Sequence, residues 1–322
     1  MPLLELKDIS FSYKKTEVIK GLSLSVERGE FATLLGESGC GKTTVLRLIS
    51  GFLNPNQGKI LINGEEQNGI LPNRRKIGMV FQDYALFPHL TVEQNLFYGL
   101  KLKKSFRAER NKNTELVMQT AENLGLTHLL SRFPGELSGG QQQRVALGRS
   151  LVLEPELLLM DEPLSSLDTN LRIKVREELK EIQQKLKITT VYVTHDQEEA
   201  LTLSDRIAVM NGGKIIQYDT PQKIYFEPKD EFTADFAGRA NILHENDRKI
   251  LVRPEWINII DGLDGDITGT IISSSFFGDR FRYKIRLTDG QKITAYANSL
   301  ETELPAGRKV SVAYRHQHEL MD

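Results

Sequence analysis

The chain has 322 residues, which is long enough for two domains that each bury a core. Its 42 basic and 43 acidic residues leave a formal charge of −1, which excludes a strong long-range attraction to nucleic acid or anionic lipid. No apolar run approaches the roughly 20 residues that a membrane-spanning helix needs. The only cysteine, Cys40, excludes a disulfide within the chain and favours a reducing compartment. The composition therefore predicts a soluble cytosolic protein.

The first part of the chain carries strand patterns that are interrupted by a helical one. Strands are predicted at 3–13, 22–26, 31–35, 59–63 and 76–81. The helical pattern follows Gly41, and Gly51 stands where a helix C-cap is expected. From about 88 to 156 the composition is mostly helical and polar, which indicates an inserted helical subdomain.

Strands and helices continue to alternate after this insertion. Leu157–Met160 is a continuous apolar run, as a strand covered on both faces needs. Apolar residues recur at three- and four-residue steps over 168–187 and predict an amphipathic helix. A β-branched strand is expected at 189–194, and Thr220-Pro221 is a typical helix start. The pattern predicts an α/β fold for residues 1–238.

The character of the sequence changes near Gly238. Residues 281–287 alternate apolar and polar side chains, and Asp289-Gly290 predicts a hairpin turn to the next strand. We therefore expect a separate, small all-β domain at 239–322. Its basic side chains are interpreted as a solvated outer face and not as a nucleic-acid site, because we expect no exposed aromatic platform beside them; they are Arg280, Arg282, Lys284, Arg286 and Lys292.

One glycine-rich segment lies between a predicted strand and a helix, which is the setting of a phosphate-binding loop. It consists of Gly36, Glu37, Ser38, Gly39, Cys40, Gly41, Lys42, Thr43 and Thr44. Its amides and the helix N-terminus would face one anion. Lys42 is expected to reach the β- and γ-phosphates of a nucleotide, and the Thr43 hydroxyl to bind Mg²⁺.

Three further motifs follow this loop. A second glycine-rich helix start predicts a second phosphate site, at Ser138, Gly139, Gly140 and Gln141. An apolar strand then ends at two carboxylates; Asp161 suits a Mg²⁺ ligand, and Glu162 suits a base for water. After Asp168 and one helix, another strand ends at His195.

These motifs, in this order, resemble those of the ATP-binding cassette (ABC) ATPases, and the resemblance covers about residues 1 to 238. It implies ATP and Mg²⁺ as ligands and a P-loop NTPase fold. It implies that Glu162 is the general base and that His195 contacts the γ-phosphate, with Gln82 beside the metal and the attacking water. The Mg²⁺ ligands would be Thr43, Gln82 and Asp161. Asp168 matches the D-loop residue, and Tyr13 matches the aromatic that stacks on adenine.

In this family the glycine-rich motif of one subunit covers the nucleotide of another. The chain has two phosphate-binding helix starts and one carboxylate pair, so a head-to-tail homodimer would use both. The resemblance also implies two separate membrane permease subunits, an extracytoplasmic solute-binding protein that acts indirectly, and a place on the cytoplasmic face of the inner membrane. The apolar segment 82–90 is a candidate contact for the permease, or a packed loop between subdomains.

The C-terminal part, beginning at Leu251, resembles the OB-like (TOBE-type) domain of importer ATPases, which is often longer than it is here. The whole chain therefore resembles the ATPases of ferric-iron, polyamine, phosphonate and sulfate or molybdate importers. The amino-acid sequence of segment 83–90 favours ferric iron. The alternatives are a soluble ABC ATPase that is not part of a transporter, a catalytically inactive subunit, and an exporter. Intact Glu162 and His195 argue against the inactive subunit, and the C-terminal domain argues against the exporter.

Overall fold

The computed structural model describes residues 1–103, 105–106, 108–165, 167–245, 248–263 and 265–321. They form two compact units, Met1–Pro221 and Gln222–Asp322. Residues 222–238 thus belong to the second unit by their contacts. Whether the first domain ends at residue 238 or at an earlier residue stays a prediction.

The strands, in chain order, are β1 (Leu4–Tyr13), β2 (Thr16–Val26), β3 (Phe31–Gly36), β4 (Gln57–Ile62), β5 (Glu65–Glu66), β6 (Ile77–Val80), β7 (Leu157–Asp161), β8 (Thr189–Thr194), β9 (Arg206–Asn211), β10 (Lys214–Asp219), β11 (Asn241–Glu245), β12 (Arg248–Val252), β13 (Ile257–Asp261), β14 (Ile267–Phe276), β15 (Arg280–Leu287), β16 (Lys292–Asn298), β17 (Lys309–Tyr314) and β18 (His318–Leu320). The helices are α1 (Lys42–Ser50), α2 (Val92–Lys101), α3 (Arg110–Asn123), α4 (Gly139–Leu151), α5 (Thr169–Leu186), α6 (Gln197–Leu203), α7 (Pro221–Phe226) and α8 (Glu231–Ala237). Short 3₁₀ turns lie at Pro72–Arg74, Thr127–Leu129, Pro134–Glu136 and Pro254–Trp256.

The first unit is built on a mainly parallel sheet in the order β10-β9-β3-β8-β7-β6. Every residue of β3 and β8 is buried, as the apolar and β-branched runs predict. A second, antiparallel sheet has the order β2-β1-β4-β5. The carboxyl ends of β3, β6, β7 and β8 meet at one edge of the main sheet, so the segments that follow these strands lie close together.

The inserted helical part is confirmed, with α2, α3 and α4 between β6 and β7. Thr91 and Ser138 cap α2 and α4 in capping boxes with Gln94 and Gln141. Helix α4 ends at Leu151, with Val152 as its C-cap, so it stops before Pro155. In the part of the chain that the structure describes, no helix is both long and apolar enough to cross a membrane.

The second unit contains α8 and the antiparallel sheets β11-β12-β18 and β13-β17-β14-β15-β16. In β15 the apolar side chains are buried and the basic ones are not, which confirms the predicted alternation. The expectation that no aromatic side chain lies exposed near the basic residues was wrong. Phe276 and Phe277 are 64% and 53% exposed at the β14–β15 turn, and Arg282 stacks on the Phe277 ring at 4.5 Å. Phe276 is the last residue of β14 and Phe277 lies in the turn, and the alternation over 281–287 includes neither, so that pattern did not predict their exposure.

Candidate functional site

The glycine-rich loop connects β3 to α1, and close contacts require glycine at two of its positions. A Cβ atom on Gly36 would lie 2.5 Å from the carbonyl oxygen of Met210, and one on Gly41 would lie 2.7 Å from Ile19 Cδ1. Gly41 also has a φ of 110°, a conformation that other residues rarely adopt. It is the N-cap of α1 and offers no side-chain acceptor to the first amides of the helix. An anion can take that place, because these amides and the helix dipole both attract negative charge.

Lys42 is buried, although it is charged. Its Nζ donates to the carbonyl oxygens of Gly36, at 2.7 Å, and Glu37, at 2.9 Å. These bonds keep the ammonium inside the curve of the loop, within reach of a bound phosphate. Thr44 is buried, while Glu37, Ser38 and Gly39 are exposed. The Cys40 side chain is also buried, and burial raises the pKa of its thiol, so it is held in the unreactive protonated form.

Thr43 and Asp161 bring two oxygen groups together at the end of β7. The Thr43 hydroxyl donates to Asp161 Oδ1 at 3.0 Å. Burial raises the pKa of the Asp161 carboxyl, and the Thr43 hydrogen bond opposes that rise. A positive group placed here would relieve the cost of burying the carboxylate.

The two oxygen groups fit a Mg²⁺ ion, which prefers hard oxygen ligands and usually keeps waters and phosphate oxygens in its shell. The described residues contain no cluster of three or more His, Cys, Asp or Glu that would form a complete protein cage. Thr43 and Asp161 would therefore hold a metal together with a nucleotide, and not by themselves.

Glu162 and His195 follow the neighbouring parallel strands β7 and β8. His195 Nδ1 lies 3.1 Å from Glu162 Oε2. Glu162 has a φ of 45°, which is uncommon for a residue other than glycine, and its amide donates to the Val193 carbonyl oxygen at 3.0 Å. Such unfavourable backbone conformations occur often at functional sites, where the surrounding structure holds them. Here the hydrogen bond to β8 helps to hold this conformation beside the histidine.

Gln82 joins this group through a residue that sequence reasoning missed. Its Nε2 donates to Ser165 Oγ at 3.2 Å, and Ser165 Oγ in turn donates to the Glu162 carbonyl oxygen at 2.9 Å. The predicted base and the predicted metal-side glutamine are thus connected by one hydroxyl. Serine side chains often donate to the backbone carbonyl oxygen three residues earlier. The position of Ser165, three residues after the predicted base Glu162, was therefore the signal in the sequence that could have identified it.

At the second glycine-rich helix start, close packing explains the two glycines in addition to the predicted function. A Cβ on Gly139 would lie 2.6 Å from Leu167 Cδ2, and one on Gly140 would lie 2.8 Å from Val175 Cγ2. Ser138 caps α4, accepting from the Gln141 amide at 3.4 Å. Among the described residues no hydrogen bond or ion pair joins Ser138–Gln141 to the loop before α1. The structure of one chain therefore does not bring the two predicted phosphate sites together.

Asp168 and Tyr13 lie at element ends. Asp168 caps α5, with Oδ1 accepting from the Leu171 amide at 3.0 Å. Tyr13 ends β1, its ring is 42% exposed, and its contact with Phe11 is edge-on, with centroids 4.8 Å apart. That exposure leaves part of Tyr13 free to stack on a planar ligand. Stacking on adenine stays a prediction.

Comparisons with known proteins show which families this chain is similar to. The ABC transporter family matches residues 19–165, and the TOBE domain family matches residues 250–320. The spermidine/putrescine import ATP-binding protein of Clostridium acetobutylicum is 44% identical over 88% of this chain and 87% of its own length. The Fe(3+) ions import ATP-binding protein of Brucella abortus is 40% identical over 96% of this chain and 94% of its own. The xylose/arabinose import ATP-binding protein of Haloferax volcanii is 44% identical over 88% of this chain and 68% of its own.

A solved structure also matches the fold of the first part of the chain. The cbiO1 structure from Clostridium perfringens, described as part of an ABC transporter complex, has a TM-score of 0.63 and 31% identity. The match covers 69% of this chain and 90% of that one.

Proposed function

The chain belongs to the ABC transporter family, as an import-type ATP-binding subunit with a TOBE domain, and on that basis we propose how its residues hydrolyse Mg-ATP and what the hydrolysis drives. The observation that carries the proposal is the meeting of Lys42, Thr43, Asp161, Glu162 and His195 at one edge of the parallel sheet. These groups come from three separate segments and supply a cation, metal ligands and a base.

In the proposed mechanism Lys42 and the first amides of α1 hold the phosphates, and Thr43 and Asp161 hold the metal. Bound Mg²⁺ would neutralise negative charge on the phosphate oxygens. Glu162 accepts a proton from the attacking water, with Gln82 orienting that water. His195, hydrogen-bonded to Glu162, holds the carboxylate in place and faces the terminal phosphate. Tyr13 stacks on the adenine ring.

The two helix starts favour a head-to-tail homodimer. Ser138–Gln141 lies at the N-terminus of α4, where an anion would be attracted, and among the described residues no hydrogen bond or ion pair joins it to Asp161 or Glu162. In a dimer it would cover the nucleotide held by the partner chain's loop. ATP would then close the interface, and loss of the γ-phosphate would weaken it, which converts hydrolysis into motion.

The motion would be passed to separate membrane permease subunits. Binding to these subunits would hold this chain at the cytoplasmic face of the membrane. Segment 82–90 is the proposed contact, because it begins at the catalytic glutamine and its backbone is held rigidly. Arg149 donates to the carbonyl oxygens of Tyr84 and Ala85, at 3.0 and 2.5 Å, and both residues have positive φ. Buried Asn95 bonds the backbone of Phe87 in both directions.

For the cargo we propose ferric iron, the class named for relatives that align over 96% of this chain. Polyamine is the second candidate, because relatives of that class have 44% identity over a smaller share. The cargo would reach the permease through an extracytoplasmic binding protein. The ATPase itself does not touch cargo, so its catalytic residues cannot decide between these classes.

The function is tested in two steps. Phosphate release by the purified chain should require Mg²⁺ and should be lost in Lys42→Ala, while Lys112→Ala, a change of an exposed lysine on α3, should keep it. Uptake of labelled ferric iron and spermidine is then measured in cells that carry or lack the chain. Iron uptake that depends on the chain supports the cargo proposal. Dependence of spermidine uptake alone would replace it, and dependence of neither would reject both classes.

A further inference from the structure

Arg172, on the first turn of α5, connects two segments of the hydrolysis site that are far apart in sequence. Its Nη2 donates to the Leu167 carbonyl oxygen at 3.0 Å, and its Nη1 donates to Asp196 Oδ2 at 3.4 Å. Leu167 lies in the segment that follows Glu162, and Asp196 directly follows His195. One guanidinium therefore bonds to the segment that follows Glu162 and to the segment that follows His195.

Asp196 is itself fixed on the side of the histidine. Its Oδ1 caps α6 by accepting from the Glu199 amide at 3.1 Å, and its own amide donates to Thr194 Oγ1 at 3.0 Å. The carboxylate oxygen that remains is the one that accepts from Arg172. A shift of Arg172 would thus be passed through Asp196 to the backbone that carries His195.

The surroundings of Arg172 favour a role beyond surface charge pairing. Its Nε is buried and has no hydrogen-bond partner among the described residues. It borders a cavity of about 30 Å³, large enough for a water molecule, whose lining includes Glu162, Thr194 and His195. Keeping a guanidinium partly unpaired in such a place costs free energy. That cost is understandable where the rigid, planar fork of arginine is needed to hold two acceptors at once.

We propose that Arg172 is a positioning residue for ATP hydrolysis, which holds the segment after Glu162 and the turn at His195 in the register that lets the two side chains meet. The inference rests on the proposed function, in that Glu162 and His195 must carry out hydrolysis. It adds a residue whose described hydrogen bonds run to Leu167 and Asp196, and not to the residues proposed to hold the nucleotide or the metal.

The test compares two ion pairs between the same helices. Arg176, one turn further along α5, pairs with Glu198 of α6 at 3.3 Å, but Glu198 is 79% exposed. No hydrogen bond or ion pair among the described residues joins this pair to the segment after Glu162. We expect Arg172→Gln to lower kcat by roughly 10- to 100-fold, the loss that a small misplacement of catalytic groups causes. KM, ATP binding and melting temperature should stay near wild type. Arg176→Gln should leave all four quantities near wild type.

Asp196→Asn supplies the second arm, because asparagine keeps the cap of α6 but loses the charge that Arg172 pairs with. It should lower kcat by a similar factor, and the double variant Arg172→Gln/Asp196→Asn should be no slower than either single one, as expected for residues that act through one contact. Arg172→Lys should not restore kcat, since an ammonium cannot replace the two-armed fork. If Arg172→Gln fails to fold, the kcat of Asp196→Asn by itself decides between the two outcomes.

Four results would overturn the proposal: full activity of Arg172→Gln, full activity of Asp196→Asn, full rescue by Arg172→Lys, or strictly additive losses in the double variant. Glu162→Gln is measured in the same assay to separate this inference from the proposed function. If Glu162→Gln is inactive while Arg172→Gln turns over normally, only the inference fails. If Glu162→Gln keeps wild-type turnover, the proposed catalytic pair is wrong and Arg172 loses its role with it.

Discussion

The Thr43 hydroxyl donates a 3.0 Å hydrogen bond to Asp161, across 118 positions of the chain. Helix α1 supplies the hydroxyl and strand β7 the carboxylate. The contact places two metal-type oxygens side by side, and it also counteracts the rise in the pKa of Asp161 that burial causes.

Replacement of Asp161 should separate stability from function. Because burial raises the pKa of Asp161 above its unfolded value, the folded chain binds more protons, and its stability falls as pH rises through the interval between the two values. Asp161→Asn removes this penalty. We expect a higher melting temperature at pH 7 without nucleotide, with each kcal/mol worth roughly 2–4 °C, and loss of Mg²⁺-dependent hydrolysis.

The pH dependence gives the control for this variant. The gain in melting temperature should shrink as the pH falls below about 4, because the carboxyl then becomes protonated in the unfolded chain as well as in the folded one. Glu115→Gln, a change of an exposed carboxylate on α3, should give no comparable gain. An Asp161→Asn chain that melts at or below the wild-type temperature at pH 7 would contradict the argument.

Glu162→Gln should bind ATP but lose on the order of 10²–10⁴-fold in hydrolysis, because an amide cannot accept the proton of the attacking water. The amide can still contact His195, so the local structure should survive. The variant should accumulate as an ATP-bound dimer, which size-exclusion chromatography with and without Mg-ATP will detect. Wild-type turnover would remove Glu162 from the mechanism.

Ser138→Arg tests whether the start of α4 acts across a dimer. It should abolish hydrolysis with little change in the affinity of the monomer for ATP, because Ser138 makes no described hydrogen bond or ion pair to the loop before α1. Mixing it with Lys42→Ala chains should restore hydrolysis at one of the two sites, provided that one site can turn over alone. Undiminished activity of Ser138→Arg by itself is the result that the shared-site arrangement does not allow.

Truncation distinguishes the two possible ends of the first domain. Arg253 is fully buried in the second unit and donates to the carbonyl oxygens of Tyr225, Ala234 and Gly238. A fragment of residues 1–238 loses this guanidinium and leaves those carbonyls without it. We expect the fragment 1–221 to be the more stable of the two and to bind Mg-ATP nearly as well as the whole chain.

Hydrolysis by the 1–221 fragment is measured against protein concentration. A loss that is recovered at high concentration would indicate a missing dimer contact, which acts by mass action. A fragment that folds and dimerises but cannot bind or cleave ATP would show that later residues belong to the active site. Greater stability of 1–238 would favour the boundary near Gly238 instead.

The sequence by itself determined the features that depend on neighbouring residues. The glycine-rich loop before Lys42, the buried strands β7 and β8, and the alternation of β15 are each encoded by a short stretch of chain. A strand has a period of two and a helix a period of 3.6, so side-chain patterns predict both without knowledge of the rest of the molecule. The fold class and the family followed from these stretches and their order.

The tertiary structure decided the contacts between distant segments. Three sets of contacts join segments that are far apart in sequence. Gln82 is linked through Ser165 to Glu162, and Gly139 and Gly140 pack against side chains of a later segment. Arg172 donates hydrogen bonds to both Leu167 and Asp196. No local periodicity specifies such pairs, since they exist only once the parallel strands lie side by side and the helices pack over them. The motifs could therefore name the proposed reacting groups in advance, while the contacts that join those groups to their surroundings became visible only in the folded chain.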